Sequence, residues 1–221
     1  MSQSLRPLWL LGLDLGQAQD HSALAVLQRT AANRILSRFN RDSLASVSLP
    51  GPSYYYDLRL LERFPLNTSY YSVIDRVRSV LAKPEITRPA SLIVDATGAG
   101  APVVEMIRKQ PLPANLIPVV ITSGNAASLS AGSYRVPKRE LISNLSLLLE
   151  NGSLRFSHKL PASAQLLREL TVFRTAMSRN GSPTYSAPSG EHDDLVLALA
   201  LALWWGRPQP ACGEQHHGPL F

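Results

Sequence analysis

Residues Leu8–Leu27, LWLLGLDLGQAQDHSALAVL, decide how the rest of the chain is read: an apolar run broken by one acid, Asp14, set between Gly12 and Gly16. Apolar residues on both sides of the acid, a Gly/Gln/Asp turn and a second run, Ala23–Leu27, predict a buried strand, a tight connection and an antiparallel neighbour. An unpaired carboxylate in such a place is costly, so Asp14 must cap the turn, pair with a distant Lys or Arg, or ligate a metal or phosphate-bound cation. This stretch alone leaves all three open.

The pattern returns twice. Ser91–Asp95, SLIVD, is a short β-branched run that ends in a carboxylate and leads through the glycine-containing turn ATGAGAP into a helix over Val103–Lys109. Near the other end, GEHDDLVLALALALWW places Asp193 and Asp194 at the head of a long apolar helix, whose alanines at 198, 200 and 202 are small enough to let it press closely on a sheet. Three acidic sites therefore stand at element ends. A hairpin first, β-α-β units next and an acid-headed C-terminal helix last is the order in which an RNase H-like fold presents its carboxylates.

Around these anchors the chain supplies the remaining elements. Asn33–Arg41 alternates apolar and polar residues and could extend the sheet, Ser43–Ser53 is a Ser/Pro/Gly connection, and Leu58, Leu60 and Phe64 fit a further strand. Thr68 or Ser69 caps a helix whose one face holds Val73, Ile74, Val77, Val80 and Leu81, ended by Pro84. Leu116–Ile121 is a third buried run, followed by SGNAASLSAGS as a flexible loop. Pro137 sits in the first turn of a helix with Leu141, Leu145, Leu148 and Leu149 on its apolar face and Asn151-Gly152 as its C-cap. Ser153–His158 reads as an edge strand and Pro161–Leu170 as a helix. Thr171–Met177 and Thr184–Ala187 flank Asn180-Gly181, the strongest short-range hairpin signal in the chain.

Composition limits the function classes. Of 221 residues 45% are hydrophobic and 17% charged, enough for one large core, and 22 Lys plus Arg against 16 Asp plus Glu give a net charge of +6 that favours a polyanionic partner such as nucleic acid. The one cysteine, Cys212, excludes both a disulfide framework and a Cys-based zinc site. No segment has the pattern of a signal peptide or the length to span a bilayer, so a cytoplasmic protein is expected.

LGLDLGQAQDHSALAVL, LIVDATGAGAPVVEMIRK, VPKRELISNLSLLLENGSLRF and APSGEHDDLVLALALA, taken in that order and spacing over most of residues 8–203, resemble the nuclease domain of the large terminase subunits of tailed bacteriophages. The resemblance implies an α/β, RNase H-like fold with a mixed central sheet flanked by helices and an added β-hairpin, occupying 1–205 ahead of a disordered tail at 206–221. It also implies a hydrolase that cuts double-stranded viral DNA during packaging in the host cytoplasm. Asp14, Asp95 and Asp194 match the family's metal-binding, catalytic acids, with Asp193 an adjacent candidate. Two-metal phosphodiester cleavage, with Mg²⁺ or Mn²⁺ ions about 3.5–4 Å apart, explains why such a site needs clustered oxygen ligands. The chain departs from the family in lacking G-x-x-x-x-G-K-[ST], the signature of the packaging ATPase, which leaves open a separately encoded or separately produced nuclease part and a prophage remnant; the partners the resemblance implies are a separate packaging ATPase, a portal or a small terminase subunit.

Each residue also has a plainer role. Asp193 and Asp194 could simply cap their helix, although one acid suffices for that; His192 at most supports a ligand. Thr97, Gly98 and Gly100 fit a turn better than a phosphate cradle. Lys138 and Arg139 at a helix start, and Arg174 and Arg179 at the expected hairpin, are solvated charges or the grip on a DNA backbone. Tyr54–Tyr56 fit a half-buried strand face better than a base-stacking platform. Three other functions share parts of the pattern: an actin-like or sugar-kinase ATPase fragment, for which the chain is short; a non-catalytic DNA-binding packaging module; and a Holliday-junction-type resolvase.

Overall fold

The computed structural model describes residues 7–16, 20–32, 53–86, 89–110, 112–179 and 193–208, with backbone only over 173–179. Strand β2 (Ala23–Ala31) lies antiparallel between β1 (Leu8–Asp14) and β3 (Tyr54–Arg63), with a register shift against β3 at Val26/Leu27. On the other side of β1, β4 (Ala90–Asp95), β5 (Asn115–Thr122) and β7 (Ser133–Pro137) add in parallel. β6 (Ser128–Ser130) and β8 (Leu154–Arg155) form the edges, giving the order β6-β7-β5-β4-β1-β2-β3-β8. The expected strand pair around Asp14 lies at the centre of this mixed sheet.

Strand alternation divides the core between two faces. Trp9, Leu11 and Leu13 of β1 face α1 (Tyr70–Leu81) and α2 (Gly100–Arg108), together with Leu24, Val26, Leu92 and Val94. Leu10, Ala25, Leu27 and Ile93 face α3 (Lys138–Glu150), α4 (Ser163–Arg179) and α5 (Asp194–Gly206). Ser69 caps α1, accepting from the Ser72 N–H at 3.2 Å, and the five apolar residues expected on its buried face are the five buried there. α5 is buried on nearly all sides, as its unbroken apolar run requires.

The structure departs from the sequence reading at several places. Thr171–Met177 is not a hairpin strand: α4 continues unbroken to Arg179, and the Thr171 hydroxyl satisfies the Leu167 carbonyl at 2.8 Å, so helix continuation overrides the β-branched composition. Thr184–Ala187 and the Asn-Gly tip lie outside the described residues, as do Asn33–Arg41 and most of the connection after it. A hairpin does occur where a loop was expected, at β6–β7, turning on Ala131 and Gly132 with φ of 49° and 74°, the paired positive values of a tight hairpin turn. Pro137 is the N-cap of α3 rather than a residue of its first turn, and α5 runs one residue past the expected boundary, to Gly206.

Candidate active site

The contact between β1 and α5 sets the site. Leu10, Gly12 and Asp14 share the α5 side of β1, while Asp194, Ala198, Ala202 and Gly206 follow at four-residue intervals and so form one stripe of α5. A Cβ on Gly206 would lie 2.3 Å from Leu10 Cδ1, and a Cβ on Gly12 would lie 1.9 Å from the Ala198 carbonyl oxygen and 3.0 Å from the Ala202 nitrogen. The helix backbone thus rests on the strand backbone. With Leu10 under Gly206 and Gly12 under Ala202 and Ala198, the next residue on that face, Asp14, comes under the turn that carries Asp194.

Sheet register extends this placement sideways. Asp14 is paired with Ala23, and Ala23 with Arg63, while the parallel pair Leu13↔Val94 brings Asp95 alongside Asp14 at the same sheet end. The row therefore reads Asp95, Asp14, Ala23, Arg63. Ala23 separates Asp14 from Arg63 in this row. After Asp95, Gly98 takes a φ of 55° and Gly100 lets the start of α2 pack on the Asp95 carbonyl, where a Cβ would meet oxygen at 1.9 Å. The glycines make the turn, and the Thr97 N–H donates to Asp95 Oδ1 at 2.8 Å.

The carboxylates act on one another. Asp14 and Asp194 are 7% and 5% exposed. Burial raises the Asp14 carboxyl well above the usual range, the negative charges of Asp95, Asp194 and Asp193 raise it further, and Lys138 opposes them. Burial also raises Asp95, against hydrogen bonds from Thr97 and Asp14 and the charge of Lys138. Lys138, at the start of α3, places its Nζ 2.6 Å from Asp193 Oδ2. On the other flank Arg63 Nη2 lies 2.5 Å from Glu169 Oε1 and 3.2 Å from Asp194 Oδ2. Glu169 is pushed up to about 7, chiefly by burial, with Arg63 opposing. Two cations thus flank a row of acids. Among the described residues, no three His, Cys, Asp or Glu groups stand close enough together to enclose one ion.

No protein-family model matches the chain. Over 195 residues, 88% of its length, it is 28% identical to the large terminase subunit of Thermus virus P23-45, and over 196 residues it is 26% identical to that of Thermus phage G20c. The chain spans 31% of the length of these curated relatives. In three dimensions it matches the crystal structure of the large terminase nuclease of phage G20c with bound magnesium at a TM-score of 0.55 and 24% identity, over 90% of this chain and 82% of that one. Its fold is that of a large-terminase nuclease domain.

Within this terminase-type fold the anticipated residues separate. Asp14, Asp95, Asp193 and Asp194 share one site, and Lys138 belongs to the same site through its bond to Asp193. Arg139 is exposed and donates to the Asn125 carbonyl at 2.6 Å; Arg174 and Arg179 lie on α4, and His192 is outside the described residues. Tyr56 is buried, whereas Tyr54 and Tyr55 lie beneath the Arg29 and Arg155 guanidinium groups. Arg63 and Glu169 were not anticipated. Glu169 follows Leu166 at i+3 on the buried stripe of α4, and an acid on an apolar helix face is the signal that sequence offered.

Proposed function

We propose that this chain is a divalent-metal-dependent endonuclease that cuts double-stranded DNA, with Asp14, Asp95 and Asp194 as catalytic acids and Asp193 completing the oxygen-donor set for two Mg²⁺ or Mn²⁺ ions. The observation that carries this reading is the Asp14–Asp95 pair: two carboxylates side by side at adjacent strand ends, Asp14 buried and Asp95 half-buried, with two more close enough to raise the first. Such mutual repulsion stores a preference for a cation, and carboxylate oxygens are the donors that hard divalent ions take. The donor chemistry fits the ions. Bound there, they would supply hydroxide from water and stabilise the leaving oxygen of the phosphodiester.

The chain's own residues do the placing. β1 and β4 hold two acids at adjacent strand ends, and α5 sets the others above them. The +6 charge, with Arg139, Arg174 and Arg179 as candidate phosphate contacts, supports DNA as substrate; Lys138 serves DNA or the acids from the site's rim. The names of the relatives support a place in viral genome packaging in the host cytoplasm, beside a packaging ATPase, a portal or a small terminase subunit. Among the described residues no helix is long and apolar enough to cross a membrane.

Nicking and linearisation of supercoiled plasmid in Mg²⁺ or Mn²⁺ tests the proposal. Asp14→Asn and Asp95→Asn should abolish cutting and leave DNA binding intact, and a chelator should do the same to the unmodified protein. Full activity in either variant would sink the two-metal mechanism; binding without any cutting by the unmodified protein would favour the accessory module.

A further inference from the structure

We infer that Glu169 is a positioning residue for Asp194, holding that aspartate from α4 through the Arg63 guanidinium and through the backbone of α5 at once. The inference rests on the nuclease reading above for the role of Asp194. Its geometry is independent of that reading. Asp193 is the N-cap of α5 but makes no side-chain cap hydrogen bond, and its carboxylate is bonded to Lys138 instead. The Val196 N–H, in the first turn, donates to Glu169 Oε2 at 3.2 Å across the helix pair. The capping duty at this helix start therefore falls to a residue from another helix.

The same carboxylate fixes the side chain. Its second oxygen, Oε1, accepts from Arg63 Nη2 at 2.5 Å, and that nitrogen lies 3.2 Å from Asp194 Oδ2. Arg63 and Glu169 side chains are only 12% and 7% exposed, so solvent does little to loosen the bridge. Glu169 thus sets the height of the first turn of α5 by its bond to Val196 and the direction of the Asp194 carboxylate by its hold on Arg63. Both carboxylates meet the same guanidinium nitrogen, so the bond that fixes Nη2 on Glu169 also fixes the charge that faces Asp194. Glu169 itself touches no reacting group in this arrangement and acts through its neighbours.

The test uses the whole chain. Mn²⁺ binding is followed by the electron-spin resonance of the free ion, plasmid nicking is measured across a Mg²⁺ titration, and circular dichroism checks folding. Glu169→Ala should weaken Mn²⁺ binding about tenfold or more and raise the Mg²⁺ concentration for half-maximal nicking by a similar factor, the scale seen when groups that orient metal ligands are removed. Glu169→Gln, which keeps an acceptor for Val196, should recover part of that loss. Unchanged Mn²⁺ binding in folded Glu169→Ala overturns the inference, whatever happens to the rate. Should Glu169→Ala not fold, Glu169→Gln and Arg63→Lys decide: weakened binding in both supports the inference and unmodified affinity in both overturns it. An unmodified protein that binds Mn²⁺ but cuts no plasmid would end the nuclease reading alone, since the binding comparison still decides the role of Glu169; one that binds no Mn²⁺ would end the inference.

Discussion

Asp193 and Asp194 are neighbours in the chain but keep different electrostatic company. Asp193 is half-buried and bonded to the Lys138 ammonium, while Asp194 is buried, faces Arg63 and lies on the stripe of α5 that descends on Asp14. Removing the charge of Asp194 should therefore cost more at the reacting centre. Asp194→Asn should lower plasmid cleavage at least about 100-fold, because several kcal/mol of transition-state stabilisation depends on such a ligand and each ~1.4 kcal/mol is tenfold in rate. Asp193→Asn should lower it by about tenfold or less, and should change stability by no more than about 1 kcal/mol because the ion pair it breaks is partly solvated. Nicking rates for the two variants side by side check this, and a dead Asp193 variant beside an active Asp194 variant would exchange their roles.

At the scale of elements, the β1–α5 contact governs. Gly12→Ala would put a methyl carbon 1.9 Å from the Ala198 carbonyl oxygen, a distance at which backbone has to move. Overpacking of a close-packed core costs roughly 1–3 kcal/mol and more where backbone is the obstacle; the thermal midpoint should drop by several degrees, on the order of 2–4 °C per kcal/mol for a chain of this size. Metal binding should weaken as well, since α5 carries Asp194. A midpoint within 1 °C or so of the unmodified protein would show that the contact is looser than described. The elements around this contact were legible from sequence because burial imposes periodicity: β1, β2, β4, α1 and α5 all read out as apolar runs or helical stripes of the right length. β6 escaped because Ser128, Leu129 and Ser130 are all exposed and leave no alternation to see. The helical course of Thr171–Met177 escaped for the opposite reason, as β-formers beside an Asn-Gly pair gave a local signal that continuity with α4 overrode. Within the site, the acids were legible as carboxylates at element ends. The bridge from Arg63 to Glu169 was not, because its two residues are 106 positions apart and meet only through the register that brings Arg63 beside Asp14 together with the packing of α4 on α5.

For the molecule as a whole, three buried or half-buried carboxyls, Asp14, Asp95 and Glu169, are raised above their ordinary values, in each case first by burial. A raised carboxyl keeps its proton in the folded state at pH values where the unfolded chain has lost it, so its contribution is greatest at low pH and is lost as pH rises from the unfolded value to the folded one. For Glu169 that window runs from 4.5 to about 7. In chelator the thermal midpoint should accordingly fall between about pH 5 and about pH 7, Glu169→Gln should make the fall shallower, and saturating Mg²⁺ should reduce it by compensating the ionised acids. Calorimetric scans at half-unit pH steps check this, and a midpoint that climbs across the window would contradict it. The far end of α5 is pinned in its turn: Gly206, whose carbonyl accepts from Arg29 Nη1 at 2.6 Å and from Tyr56 Oη at 2.8 Å, has no side chain to hold it off Leu10. Thirteen residues of helix span about 20 Å, so the acids at one end are positioned by an anchor at the other. The helix works like a gauge block seated against the sheet: its length is set by covalent geometry, and drift in the sequence of the surrounding loops can leave the calibration of the cutting centre untouched.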